Sequence, residues 1–110
     1  MRTLERQLAE FAVGLQLDQI PADAQRVLQR MVMAVIGTGI AGAGEDGVQA
    51  LHELLSQAGG AEQATTLVFG RKLPAAAAAQ FNGTMCRALD FCDAMAPGPH
   101  IGAALFPAAL

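Results

Sequence analysis

Apolar residues recur at helical spacing along most of the chain, so the pattern predicts a largely helical protein. Thr3 is a suitable N-cap for a first helix that ends near Leu17. One face of this helix carries Leu4, Leu8, Phe11, Ala12 and Leu15. A second apolar series runs from Ala24 to Ile40, amphipathic in its first half and apolar on all sides in its second half. A helix segment that is apolar all round is expected to be buried.

The remaining segments complete a helical pattern with one interruption. A third helix is predicted from Val48 to Ala58, where the pair Gly59 and Gly60 ends it. The β-branched stretch "ATTLVFG" is typical of a short strand or extended loop. Pro74 opens a fourth helix, "PAAAAAQFNGTMCRAL", and "APGPHIG" is a loop that leads into another. We therefore expect an all-α helical bundle with at most one short extended segment.

Composition sharpens this picture. The chain has 110 residues, enough for one small domain, of which 53% are apolar and 15% charged, against about 25% charged in typical soluble domains. So much apolar surface on so short a chain indicates that something else covers part of it. A partner chain or the rest of a longer polypeptide would do so, and we expect a homo-oligomer.

Charge and motif counts argue against several classes of protein. The net charge is −3 and the seven basic residues are scattered, which makes nucleic acid an unexpected partner. The longest apolar stretch, 31–44, is shorter than the ~20 residues that cross a bilayer. The N-terminus is charged throughout and does not resemble a signal peptide. Cys86 and Cys92 match no zinc spacing, so we expect reduced thiols, a cytoplasmic setting and no membrane partner.

A glycine motif offers an alternative function. Gly37, Gly39 and Gly42 form a G-x-G-x-x-G, and a helix, an extended stretch and the pair Arg71 and Lys72 follow. In a dinucleotide-binding βαβ unit such glycines admit a pyrophosphate, and the cations would suit a 2′-phosphate. The helical period runs unbroken into the motif, however, which favours glycines that serve close helix packing.

The titratable residues near the C-terminus form the main candidate site. The stretch "LDFCDAMAPGPHIG", residues 89–102, holds two aspartates, a cysteine and one of two histidines. From the residues alone, the ordinary interpretation is a solvated helix end for Asp90 and Asp93 and a backbone-bonded loop histidine for His100. His52, set among leucines, is interpreted as a histidine on a helix surface.

The segment "FNGTMCRALDFCDAMAPGPHIGAALFPAAL" resembles the MmgE/PrpD family. Its pattern is N-G-T-x-x-H-A-L-D-F-D-D, a loop, H-P, and a helix that leads to P-A-x-L. The stretches "LAEFAVGL", "IPAD", "GTGIAG" and "GRKLPAAAAAQFNGT" have counterparts in the same order. Members include 2-methylcitrate dehydratase, cis-aconitate decarboxylase and iminodisuccinate epimerase, all several times longer. The resemblance implies that residues 1–110 are a truncated N-terminal segment of the helical domain.

The resemblance also implies a chemistry and a set of site residues. Members move a proton at a carbon next to a carboxylate of a small di- or tricarboxylate, with dehydration, decarboxylation or epimerisation and no metal or cofactor. Asp90 and His100 match the family's catalytic aspartate and loop histidine. Arg87 and Asp93 are the expected substrate-binding residues. The segment alone is expected to be inactive, and a non-catalytic, self-associating helical module is a further alternative.

Three positions depart from the family pattern. Arg87 replaces its histidine, Cys92 the first aspartate of its D-D pair, and Ile101 the proline after the loop histidine. A guanidinium stays protonated and cannot act as a base, although it can bind a carboxylate through two hydrogen bonds. The departures imply either an altered substrate or a loss of activity.

Overall fold

The structure, a computed structural model, describes residues 2–91, 93–94, 96, 98 and 100–110. The helices in this part of the chain are α1 (Leu4–Gly14), α2 (Ala22–Gly42), α3 (Val48–Ala58), α4 (Ala75–Arg87) and α5 (Gly102–Ala109). A 3₁₀ turn spans Leu17–Gln19, and the two-residue strands β1 (Ala64–Thr65) and β2 (Lys72–Leu73) pair antiparallel, with Ala64 opposite Leu73. The prediction of an all-α fold is confirmed.

Helix α4 is the centre of the fold, since α2, α3 and α5 all pack against it. One cluster of its core joins three helices through Val35, Cys86 and Ala103. The other joins α3 and α4 through Val48, Phe81 and Met85. The loop that carries the candidate site follows the C-terminal end of this central helix.

The glycine motif lies inside α2 and serves packing, as the helical period indicates. A Cβ added at Gly39 would approach Cys86 Sγ to 2.8 Å, and one at Gly42 would collide with the carbonyl oxygen of Met85. The absence of both side chains therefore lets α2 lie directly on α4. A dinucleotide site needs the glycines in a turn between a strand and a helix. Since all three are helical, the βαβ alternative is wrong.

The prediction that the second half of α2 is buried on all sides is also wrong. Val35, Gly39 and Gly42 are its buried residues, whereas Met33 is 73% and Ile40 61% exposed. Helices α4 and α5 cover one face of α2, and no described element covers the opposite face. The apolar sequence therefore predicts more burial than the structure shows, because the described elements do not surround this helix of 21 residues.

The extended stretch after α3 is half of a small hairpin fixed by one side chain. Asn82 on α4 is 2% exposed. Its Oδ1 accepts a hydrogen bond from Leu67 N at 2.8 Å, and its Nδ2 donates to Thr65 O at 3.1 Å. These bonds replace ladder partners that two-residue strands lack. The sequence pattern singled out neither strand β2 nor this anchor.

Helix α1 stands apart from the core. It begins at the predicted cap, where Thr3 Oγ1 accepts from Arg6 N at 3.4 Å, and it ends at Gly14, before the expected Leu17. None of its residues is buried. The radius of gyration is 16.0 Å, against about 13 Å for a compact chain of this length. No helix of the described residues is both long and apolar enough to span a membrane.

Candidate active site at the end of α4

The predicted site begins where the central helix stops. Arg87 is the last residue of α4, and its Nη1 forms an ion pair with Asp90 Oδ1. Asp90 has a φ of 57°, and its N–H donates to Arg87 O at 3.0 Å. An aspartate tolerates this left-handed conformation better than most residues. Asp90 therefore closes the turn after the helix and holds its carboxylate against the guanidinium.

Asp93 fixes the far side of the loop. Its carboxylate accepts hydrogen bonds from Gly102 N, at 2.9 Å to Oδ1 and 3.1 Å to Oδ2. Its backbone carbonyl lies 2.9 Å from His100 Nδ1. The side chain predicted to bind substrate is thus already engaged by the first residue of α5. In this arrangement Asp93 holds the loop histidine and the helix behind it.

A cleft between α4 and α5 brings two of the four predicted residues together. It has a volume of about 470 Å³ and both Arg87 and His100 line it. The other residues that line it are Ala79, Gln80, Gly83, Thr84, Ala103 and Ala104. A cation and an imidazole face a space otherwise walled by Gln80 and small side chains, which suits an anionic ligand of modest size.

Asp90 and Asp93 join this cleft indirectly, the first through its ion pair with Arg87 and the second through its contact with His100. The prediction of a reduced thiol at Cys92 falls on a residue outside the described part of the chain. The same is true of Pro97 and Pro99 in the loop. The catalytic roles that the resemblance implies for Asp90 and His100 stay predictions.

Two residues that line the cleft, Gln80 and Thr84, were missed by the sequence analysis. Thr84 is exposed, and its hydroxyl donates to Gln80 O at 2.9 Å. The stretch "NGT" contains Thr84, but its three residues face different parts of the structure. Asn82 turns to the hairpin, while Gly83 and Thr84 line the cleft. Helical spacing of four residues links Thr84 to Gln80 and would have indicated the shared face.

The remaining chemistry-bearing groups lie away from the cleft. Among the described residues, no three His, Cys, Asp or Glu side chains come together as metal ligands would. Cys86 is fully buried, and burial raises the pKa of its thiol above the ordinary 9.0. A protonated, enclosed thiol is a poor nucleophile. Cys86 is therefore a packing residue of the contact between α2 and α4.

His52 is not the surface histidine that the sequence predicts. Its ring lies 4.6 Å from that of Phe69 and 5.0 Å from that of Phe81, measured between centroids. Its Nε2 lies 3.3 Å from the hydroxyl oxygen of the buried Thr66. The neighbouring leucines in the sequence give no indication that the hairpin packs over this face of α3.

Comparison with known proteins gives one match. The MmgE/PrpD N-terminal domain matches residues 6–110, nearly the whole chain. No curated protein and no solved structure matches it. The matched range contains α2 to α5, the cleft and all four predicted site residues. On this match, the chain belongs to the MmgE/PrpD family, of which it carries the N-terminal domain.

Proposed function

We propose that the cleft between α4 and α5 is part of the active site of a lyase or isomerase that moves a proton next to a carboxylate. The observation that carries this proposal is the shared lining of one cleft by Arg87 and His100, with Asp90 paired to the guanidinium. Family membership supports the same chemistry. The substrate class that fits is a small di- or tricarboxylate.

The cation would bind the substrate. A guanidinium presents paired donors that match the two oxygens of a carboxylate. The side chain of Arg87 is 44% exposed, so a ligand can reach it from solvent. Asp90 holds that side chain at the helix end and compensates part of its charge, which leaves a preference for anions without a strongly positive surface.

The imidazole would move the proton. A histidine serves as acid or base near neutral pH, and its transfer contributes about 10²- to 10⁴-fold to a rate. Abstraction of a proton from the carbon next to a carboxylate leaves negative charge, which a nearby cation stabilises. Loss of water and inversion need the imidazole as this base, whereas loss of CO₂ leaves a carbanion to which a protonated imidazole returns a proton. In all three reactions a cation stabilises the negative charge at the carbon.

Turnover assays with cis-aconitate and 2-methylcitrate test the proposal. The 110-residue chain alone is expected to lack robust turnover, because its cleft is open to water on one side of α4. In a longer polypeptide that contains this chain, His100→Ala should lower kcat much more than it changes KM. Full activity of His100→Ala in an active protein would contradict the proposal. Robust catalysis by the chain alone would contradict only the expectation that this segment is an incomplete site.

We also propose that the chain self-associates through apolar surface that its own elements leave open. Helix α1 exposes Leu4, Leu8 and Phe11 on one face. A second apolar surface lies between α2 and α5, where Leu28 and Leu105 are exposed. Exposed patches of this kind on a small domain are typical of interfaces. A second copy could cover both.

Sedimentation at micromolar concentration tests this second proposal. Wild type should sediment as a dimer or larger species, and Leu8→Glu should shift it toward monomer. Ala9→Glu is the matched control, since it adds the same charge on the opposite, exposed side of α1. A wild-type monomer that binds no hydrophobic dye would contradict self-association.

A further inference from the structure

We propose that Asp93 is a positioning residue that holds His100 as its Nδ1–H tautomer, so that Nε2 carries the lone pair that accepts the proton. This inference rests on the proposed function of the cleft, but its first test is independent of any activity. It replaces the expected role of Asp93 in substrate binding.

The tautomer follows from the partner of the ring. His100 Nδ1 lies 2.9 Å from the backbone carbonyl oxygen of Asp93. A carbonyl oxygen can only accept a hydrogen bond, so the proton of the pair must reside on Nδ1. A neutral imidazole has one N–H, and Nε2 is then unprotonated. The nitrogen suited to act as a base is therefore Nε2, the one that Asp93 does not engage.

The side chain of Asp93 keeps that carbonyl in place. Its carboxylate accepts from Gly102 N through both oxygens, at 2.9 and 3.1 Å. Gly102 is two residues after His100. Asp93 therefore contacts the histidine through its backbone and the following helix through its side chain. A Cβ at Gly102 would collide with Asp93 Oδ1 and approach its Cγ to 3.1 Å. Glycine thus permits the close approach.

His52 provides an internal reference with the opposite tautomer. Its Nε2 lies 3.3 Å from Thr66 Oγ1. That hydroxyl has one proton, which it donates to Arg71 O at 2.8 Å. The hydroxyl oxygen must therefore accept from the ring, and His52 carries its proton on Nε2. The two histidines of the chain should give opposite signatures in one sample.

Long-range ¹H–¹⁵N spectra of the uniformly labelled chain test the tautomers, in mildly alkaline solution where an imidazole is neutral. His52→Gln assigns the two rings. We expect the protonated-nitrogen shift at Nδ1 of His100 and at Nε2 of His52. An Nε2–H pattern at His100, or a mixture like that of free imidazole, would overturn the inference.

Variants of Asp93 test its role in holding the ring. Asp93→Ala removes the grip on Gly102, and His100 should lose its Nδ1–H preference and shift toward the free-imidazole mixture. Asp93→Asn retains an acceptor oxygen and should largely preserve the preference. Asp46→Ala, at an exposed carboxylate in the turn before α3, is the control. An unchanged His100 pattern in Asp93→Ala would overturn the positioning role.

Activity separates this inference from the proposed function. In a catalytically active form, Asp93→Ala should lower kcat with little change in KM. It should also shift the pH range over which kcat depends on an unprotonated base. Asp93→Asn should retain most of the wild-type kcat. If His100→Ala keeps full turnover while the spectra match expectation, the proposed function fails and the tautomer stands. If His100→Ala is inactive but the wild-type ring is Nε2–H, the inference alone fails.

Discussion

The two histidines of the chain lie in regions of opposite character, although both lie beside helix α4. His52 belongs to an enclosed corner, formed with Thr66, Phe69, Phe81 and Asn82, in which rings and hydrogen bonds satisfy each group. His100 belongs to an open cleft with Arg87, Gln80 and Thr84, where both it and Arg87 are exposed. The first imidazole completes a packed core. The second has its Nδ1 beside the carbonyl oxygen of Asp93.

The comparison shows how a polar residue with a structural role differs from one that we propose to take part in catalysis. In the enclosed corner, each polar side chain has a protein partner and its loss would leave a buried group unsatisfied. In the open cleft, Arg87 forms an ion pair with Asp90 and His100 is held at one edge by Asp93. Burial and hydrogen-bond partners therefore distinguish the two histidines, whereas their residue type and sequence neighbours do not.

The largest effect should come from an aromatic ring of the enclosed corner. Phe81 is fully buried, and Phe81→Ala should destabilise the chain by about 3–5 kcal/mol. Phe91→Ala is the matched control, because Phe91, in the segment after α4, is 72% exposed. It should change the unfolding free energy by less than about 0.5 kcal/mol. Urea unfolding measures both. Equal costs for the two variants would erase the proposed difference between the regions.

The next effect should come from the polar anchor of the corner. Asn82→Ala leaves Leu67 N and Thr65 O without their side-chain partner, which should cost about 2–3 kcal/mol. Thr84→Ala, two residues later on the exposed side of α4, should cost less than about 0.5 kcal/mol. The measurement is chemical unfolding together with amide exchange at Leu67, which should quicken only in Asn82→Ala. Unaltered protection of that amide would show that the hairpin does not depend on Asn82.

A smaller effect is expected at the contact between α2 and α4. Gly42→Ala forces a methyl group into the Met85 carbonyl, and overpacking of this kind costs about 1–3 kcal/mol. Gly37 has no atom within 4 Å of an added Cβ, so Gly37→Ala should stabilise the helix by up to about 1 kcal/mol. Thermal unfolding should thus move in opposite directions. A gain in stability for Gly42→Ala would contradict the packing role of the motif.

The smallest effect concerns pH. Burial raises the pKa of the Cys86 thiol above 9.0, so the folded chain keeps this proton at a pH where the unfolded chain releases it. Stability should therefore fall as pH rises above about 9. Unfolding of Cys92→Ala at about pH 8 and about pH 10 measures the change, and adding Cys86→Ala should reduce the slope. A stability that rises over this interval in Cys92→Ala would contradict the protonated, buried thiol.

Sequence periodicity predicted the helices well because their start and stop signals are local. Thr3 caps α1, Gly59 ends α3, and Pro74 precedes α4. The pattern failed where burial depends on distant elements. The pattern predicted that Ile40 is buried and that His52 lies on a helix surface. Neither the open face of α2 nor the hairpin over α3 can be inferred from the residues that neighbour these positions in the sequence.

The candidate site divides in the same manner. Family resemblance indicated Arg87, Asp90, Asp93 and His100, and the structure gives Arg87 and His100 one cleft. Resemblance implied that Asp93 binds substrate, but it could not predict the bond from Gly102 N to Asp93, because that bond depends on how the loop returns to α5. Thr84 lines the cleft one helical turn after Gln80. Spacing of four residues occurs in every helix, so this spacing alone does not indicate a site.

A carboxylate titration tests most directly the claim that the open cleft is the site. The ¹⁵N-labelled chain is titrated with cis-aconitate at constant ionic strength, with Arg87→Gln as the site variant and Arg71→Gln as the control for an exposed arginine elsewhere. The account predicts saturable amide shifts concentrated at Gly83, Thr84 and Ala104, retained in Arg71→Gln and lost in Arg87→Gln. Shifts that fall elsewhere, or that survive Arg87→Gln unchanged, would contradict it.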